Sequence, residues 1–376
     1  MNEIKLKDYI ISLETIYTIK NILFDSLKTR LVGIPGIKIE SLEDMASHVL
    51  RSNLKDNKLL LSGWGHYKLM WIADLGVAFD GLGHVFDFKI LKSILKHILE
   101  ISSKHNKVFT CYSQKSGSDI PWKRADSLPW LIYCLGKYKE VTKDTLLLKK
   151  YKPLLQKLIF DFESEYLDPD GIVKNNVTGD WMDTIKRPSS TWNNICVLNM
   201  LYLTRKMEFK TNFNPGVIEK KLLSRRFKKN FLVDYSGSKQ LSVDSAVLAL
   251  YFGLFSKAIR STLADKLNQL EIFDPYPMRA SVINYPNSLK PLLTRLTAQG
   301  FHQTARWPHL GLMFLNGLRK ISKKDNNKFK NISRLMRKYS NFLETVDVKG
   351  KVLGTVLSSE YGFSMTAGQY LEYSNS

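Results

Sequence analysis

Five of the seven tryptophans, Trp71, Trp122, Trp181, Trp192 and Trp307, stand beside polar or charged residues where an apolar segment opens. Asp74 follows Trp71, and Arg124 and Asp126 follow Trp122. Asp180 and Asp183 bracket Trp181, Asn193 follows Trp192, and His302, Gln303 and Arg306 precede Trp307. Aromatic faces pack on the axial C–H bonds of a sugar ring, while carboxylates, amides and imidazoles bond its hydroxyls. This repeated combination suits a carbohydrate pocket better than a core filled with indoles. No His, Cys, Asp or Glu cluster has metal-ligand spacing and no Gly-rich phosphate loop occurs, so no metal or other cofactor is expected.

Six apolar stretches must position these residues. They open near Asp74, Asp126, Ser190, Asp244, Arg306 and Ser364, about 50 to 65 residues apart, a period that signals a repeated supersecondary unit. Past its opening each carries few charges, and a helix apolar all round is buried on both sides. Between them run Lys-rich amphipathic segments, roughly 87–104, 145–166, 215–230, 257–271 and 324–343. A segment near 5–30 supplies a sixth outer helix, within an N-terminal stretch (1–60) that completes the outer ring. The expectation is an all-α (α/α)6 toroid formed by residues 1–376 as one domain, with minor β segments near 172–174 and 351–357. The polar ends of the inner helices share one mouth, where their positive dipole ends converge. Asp126 and Asp244, each followed by Ser, read as helix N-caps. Long loops gather at that mouth, where function is usually placed on a rigid scaffold.

The three cysteines, Cys111, Cys134 and Cys196, form no disulfide framework or zinc motif. The N-terminus mixes charges of both signs and lacks the apolar core of a signal peptide. No stretch of 18 apolar residues could span a membrane, so a cytoplasmic location is expected and the sequon at Asn176 reads as coincidental. The formal net charge of +21 reads mainly as a solvated basic exterior, since runs such as KKLLSRRFKKN fall on outer segments. The absence of RNA-binding or zinc-finger signatures argues against a nucleic-acid partner. A second use of the charge is an anionic sugar, with Arg124, Lys186, Arg187 and Arg306 gathered at the mouth. Oligomeric state is left open.

The stretch DGIVKNNVTGDWMDTIKRPSSTWNNICVLNML, with its Trp181-Met182-Asp183 and Trp192-Asn193-Asn194, resembles the central motif of inverting glycoside hydrolases built on an (α/α)6 barrel. That group comprises the glucoamylase, glycogen-debranching glucosidase, neutral invertase and processing α-glucosidase families. QTARWPHL (303–310) resembles their NGxxWP element, and WKRADSLPW a sugar-binding R-x-DS element. LETVDVKGKV followed by YGFSMTAGQYLEY resembles the glucoamylase pattern of a catalytic Glu, a turn and a last helix. The similarity runs from about residue 64 to the C-terminus. The chain departs from it twice: Ala73 replaces the Arg of W-x-R-D, and Phe363 replaces a Trp.

The resemblance implies an inverting exo-glycoside hydrolase acting on a glucoside or oligosaccharide, with Asp183 as general acid and Glu344 as general base. Glu360 is the rival base and Asp180 the rival acid. Trp71, Asp74, Arg124, Asp126, Trp181, Trp192, Asn193, His302, Gln303, Arg306 and Trp307 would hold the sugar. The residues fit these roles. Aromatic surroundings raise a carboxyl pKa, keeping an acid protonated near neutrality, and Asp183 is flanked by Trp181 and Met182. Glu344 adjoins a polar, Gly-containing loop, as a base should. Two alternatives stand beside this: a glycoside phosphorylase on the same barrel, and a carbohydrate-binding protein with an eroded site.

Overall fold

The computed structural model describes residues 24, 26–29, 31–65, 67–120, 123–273, 277–282, 284–291, 295, 301–352 and 359–376. Trp122, the segment 5–23 and most of the expected β segment 351–357 lie outside these residues.

The six apolar stretches are helices, and they form the wall of a closed ring. They are α2 (Ile72–Leu82), α4 (Ser127–Thr142), α7 (Thr191–Lys206), α9 (Val243–Phe252), α12 (Pro308–Arg319) and α14 (Ser364–Ser374). Each packs on the next in chain order, and α14 returns to pack on α2. The closure is tight. A Cβ on Gly81 of α2 would lie 1.9 Å from the carbonyl oxygen of Gly368 on α14, so only glycines let these two backbones meet.

The outer layer is α1 (Leu42–Asn53), α3 (Phe88–His105), α6 (Lys152–Tyr166) after the short α5 (Leu146–Lys150), α8 (Pro215–Arg226), α10 (Lys257–Gln269) and α13 (Asn326–Tyr339). Outer α1 packs on α14, α8 on α7, α10 on α9 and α13 on α12, while α3 and α6 both pack on α4. Most of the segment near 5–30 falls outside the described residues, and among those described the sixth outer helix is α1, which lies within the stretch 1–60. Its apolar face of Leu42, Met45, Ala46, Val49 and Leu50 is buried, and Ser41 caps it through Asp44 N–H at 3.2 Å. The same chemistry starts other helices: Asp87 caps α3, Ser190 α7, Ser256 α10 and Asp325 α13.

Strands are short and serve the mouth. β1 (Leu54–Lys55) pairs with β2 (Leu59–Leu60), and β6 (Phe227–Lys228) with β7 (Phe231–Leu232), both antiparallel. β3 (Met70–Trp71), β4 (Cys111–Tyr112) and β5 (Gly117–Ser118) form an antiparallel sheet whose first strand runs directly into α2. The expected β piece near 172–174 is a single bridge, Leu167 to Val173. Deeper in the ring, the Asp80 carboxylate accepts from Tyr133 Oη at 2.6 Å and Tyr251 Oη at 2.9 Å, and Gln369 Nε2 donates to Tyr251 Oη at 3.0 Å. These bonds tie α2, α4, α9 and α14 together. No helix among the described residues is long and apolar enough to cross a membrane.

Candidate active site

Five of the six inner helices, all but α9, bring their N-terminal ends to one pocket. The turn after β2 gives Tyr67, β3 gives Trp71, and the first turns of α2 give Ala73, Asp74 and Val77. Arg124 enters just before α4, Trp181 and Asp183 on the long loop before α7, and Trp192 on α7 itself. The short helix α11 (Phe301–Thr304) gives His302, and the start of α12 gives Trp307 and His309. Glu344 follows α13, while Phe363 and Met365 open α14.

The aromatic side chains form one continuous wall. Trp181 meets Trp192 at 5.4 Å between ring centres and stands edge-on to Trp307 at 5.1 Å. His302 stacks on Trp307 at 4.8 Å with 11° between planes, and its Nδ1 lies 2.6 Å from Thr184 Oγ1. Tyr67 packs edge-on to Trp71 at 6.3 Å.

Three carboxyls open into this wall: Asp74, Asp183 and Glu344. Burial pushes Asp183 up to about 6; the Arg124 guanidinium opposes the rise and the Asp180 charge adds to it. Burial likewise pushes Asp74 up to about 7, against a Ser62 hydrogen bond and Arg124, with the Asp183 charge adding to the rise. Glu344 is held well above the usual carboxylate range, first by burial, against the Glu360 N–H bond, and then by the charges of Glu360, Asp74 and Asp183. Its Oε2 accepts from Glu360 N–H at 3.1 Å, and its Oε1 lies 3.4 Å from Tyr67 Oη.

A bridge between Leu343 and Tyr361 sets Glu344 and Glu360 side by side, but only Glu344 lines the pocket. Glu360 is fully buried, and its carboxylate accepts from Gly65 N at 2.5 Å and Tyr67 N at 3.0 Å. It anchors the turn that carries Tyr67. Gly362 beside it has φ +58°, and a Cβ there would meet the Trp64 ring at 2.3 Å.

Several residues expected to touch the sugar instead stand behind the wall. Asp126 is fully buried and takes two bonds from Arg124, at 2.9 Å from Nε and 2.7 Å from Nη2, and it makes no cap bond. Asp244 does not hold the N-cap position, which is Ser242. Asp244 lies inside the first turn of α9, 2.9 Å from Arg187 Nη2, and accepts Trp181 Nε1 at 2.8 Å. Asp180 is fully buried against Arg187, at 3.0 Å from Nε and 2.8 Å from Nη2, and does not line the pocket. Arg187 also donates to Asp234 at 2.7 Å, so it serves three carboxylates at once. Asn193 Nδ2 donates to the Gly179 carbonyl at 2.9 Å, which shapes the loop below Trp181. Gln303 accepts from Lys290 at 3.4 Å. Arg306 is buried, donates to the Ile272 carbonyl at 2.9 Å, and bridges Arg279 and Val346, fixing the approach to α12. Ser364 donates to the Leu61 carbonyl at 2.7 Å.

The basic cluster expected at the mouth does not form from these four residues. Arg187 and Arg306 are buried, Lys186 is exposed away from the lining, and Arg124 alone faces the pocket. Tyr67, His309 and Met365 line it although no local motif singles them out. Among the described residues no group of three or more His, Cys, Asp or Glu side chains could hold a metal ion.

Six inner helices closed into a ring inside six outer ones define the fold as an all-α (α/α)6 toroid. Solved structures share it. A rhamnosidase from Klebsiella oxytoca with rhamnose bound matches with a TM-score of 0.62 and 12% identity, over 90% of this chain and 64% of its own. A GH63 mannosylglycerate hydrolase from Thermus thermophilus in complex with glucose matches with a TM-score of 0.65 and 14% identity, over 89% of this chain and 100% of its own. A structure described as a wild-type glycosidase matches with a TM-score of 0.63 and 11% identity, over 89% of this chain and 95% of its own. The chain thus spans less than two thirds of the rhamnosidase and the whole of the Thermus protein. No family model and no curated protein matches the chain.

Proposed function

We propose that this chain is an inverting glycoside hydrolase that removes a terminal neutral sugar from a glycoside or oligosaccharide. The observation that carries the reading is the pair Asp183 and Glu344, brought from distant parts of the sequence into one aromatic pocket of a toroid shared with glycosidases. Burial raises both Asp183 and Glu344, so the pocket retains a proton near neutrality; the mechanism requires that proton on Asp183 with Glu344 ionised, a state the Glu360 N–H bond to Glu344 favours. In the singly protonated state Asp183 donates to the departing glycosidic oxygen. Glu344 takes a proton from the water that attacks the anomeric carbon from the opposite face. Asp74 and the free edge of Arg124 hold hydroxyls, and the indoles of Trp71, Trp181, Trp192 and Trp307 support the ring. No step needs a cofactor.

A neutral sugar fits the charges of the pocket. Arg124 is its one guanidinium among the described residues, and two of that group's three nitrogens are spent on Asp126. A uronic acid, or the phosphate a phosphorylase needs, would face Asp74, Asp183 and Glu344 with little cationic charge to offset them. Loss of catalysis is disfavoured by the carboxyls themselves, which still line the pocket together with its aromatic wall. A panel of 4-nitrophenyl and disaccharide glycosides, assayed for released sugar with and without phosphate, tests the reading. Turnover without phosphate, lost in both Asp183→Asn and Glu344→Gln, is expected. Turnover only with phosphate, or full activity in both variants, would overturn it.

A further inference from the structure

His309 is the second residue of α12, in the wall of the pocket, and is 2% exposed. Three aromatic rings fix its plane: Trp181 and Trp307 meet it edge-on at 5.8 Å and 5.5 Å, and Phe363 lies 6.0 Å away. Its Nδ1 is buried without a hydrogen-bond partner, and among the described residues no bond engages Nε2. The neighbouring imidazole behaves differently, since His302 is tied to Thr184 at 2.6 Å.

Buried polar side chains in folded proteins nearly always have partners, and an orphaned one costs about 1–3 kcal/mol. Nε2 is not among the buried atoms of this pocket-lining ring and has no protein partner among the described residues, so it is the nitrogen left for a partner that arrives with the ligand. The ring that meets it is uncharged. Burial pushes His309 down to about 3, so the ring is neutral across the working range and offers one N–H and one lone pair. A hydroxyl, which can either donate or accept, suits Nε2 in either tautomer. A carboxylate would meet no positive charge at His309, only a neutral imidazole.

We propose that His309 is a specificity-determining residue, whose Nε2 hydrogen-bonds one hydroxyl of the bound sugar. The proposal rests on the hydrolase reading. It adds that one ring position is read by a group belonging neither to the acid–base pair nor to the Trp wall.

The test compares the wild-type protein with His309→Phe and His309→Gln, on the best 4-nitrophenyl glycoside of the panel and on its monodeoxy analogues. The Phe variant keeps an aromatic ring against Trp181 and Trp307 but cannot bond; the Gln variant keeps an N–H donor. The expected result is a loss of about tenfold in kcat/KM for His309→Phe on the parent glycoside, smaller for His309→Gln. For one deoxy analogue only, wild type and His309→Phe should be equal. An equal loss on the parent and on every analogue, or no loss, overturns the proposal. Calorimetric titration with the free monosaccharide and its deoxy forms makes the same comparison without turnover. A protein that binds sugar with this pattern but hydrolyses nothing refutes the hydrolase reading alone, while binding indifferent to His309 refutes this one.

Discussion

Replacing Asp183 by Asn removes a carboxyl that the folded chain holds out of water. In the folded protein this group titrates at about 6, against 3.8 for an unperturbed Asp. The folded state therefore binds the proton more tightly than the unfolded state. The sign follows: the contribution to stability is full below the unfolded value near 3.8, is lost as pH rises through about 6, and stays lost above it. The full interval corresponds to about 3 kcal/mol, at about 1.36 kcal/mol per tenfold change in proton affinity. Asp183 is only half-buried by surface exposure, so solvent screening reduces the expected difference to about 1–2 kcal/mol. An amide of the same shape does not titrate. Urea denaturation of the wild type and Asp183→Asn at pH 4 and pH 8 should show the variant gaining about 1–2 kcal/mol on the wild type between the two conditions. Removal of one negative charge also eases ionisation of Asp74 and Glu344, which acts in the same direction. A stability difference independent of pH, or a wild type that gains on the variant at pH 8, would refute the claim that the pocket desolvates its acid.

Arg187→Met leaves Asp180, Asp234 and Asp244 buried without their cation, and should destabilise the fold by about 3–5 kcal/mol in denaturant melts. Gly368→Ala would drive a Cβ to 2.6 Å from the Ala78 carbonyl oxygen, so a loss of about 1–3 kcal/mol is expected in the same assay. Glu344→Gln should lower kcat by about 10² to 10⁴-fold with little change in melting temperature. Glu360→Gln should instead lower the melting temperature, because its carboxylate holds Gly65 and Tyr67; the reverse pattern would move the base to Glu360. Asp183→Asn should retain more of its activity on a glycosyl fluoride than on an alkyl glycoside, because fluoride departs with little protonation; equal losses would deny Asp183 the role of acid.

The inner ring was legible because its helices are almost free of charge and recur at one spacing, a pattern that only double-sided burial explains. The outer helices followed from their amphipathic spacing, except α1. Its twelve residues include Glu43, Asp44, His48 and Arg51, so its apolar face is a weaker signal than that of the longer segment before it. Asp126 holds the N-cap position of α4 but makes no cap bond, and Asp244, read as a cap from the serine after it, lies inside α9 behind Ser242. Their actual partners are arginines, and for Asp244 that partner, Arg187, lies on another loop. Tyr67 gave no signal, since the bond that gives it meaning is to Glu344, 277 residues away. His309 looked like an ordinary histidine after Trp-Pro, and its missing partners are visible only once the wall is assembled.

The most direct test of the central claim is the stereochemistry of the first product. A glycoside hydrolysed by the wild-type protein should be followed by proton NMR within the first minutes, before mutarotation mixes the anomers. With Asp183 and Glu344 working on opposite faces of the sugar, the sugar should be released with its anomeric configuration inverted. Release with retained configuration would contradict the pairing of an acid and a water-activating base in this pocket.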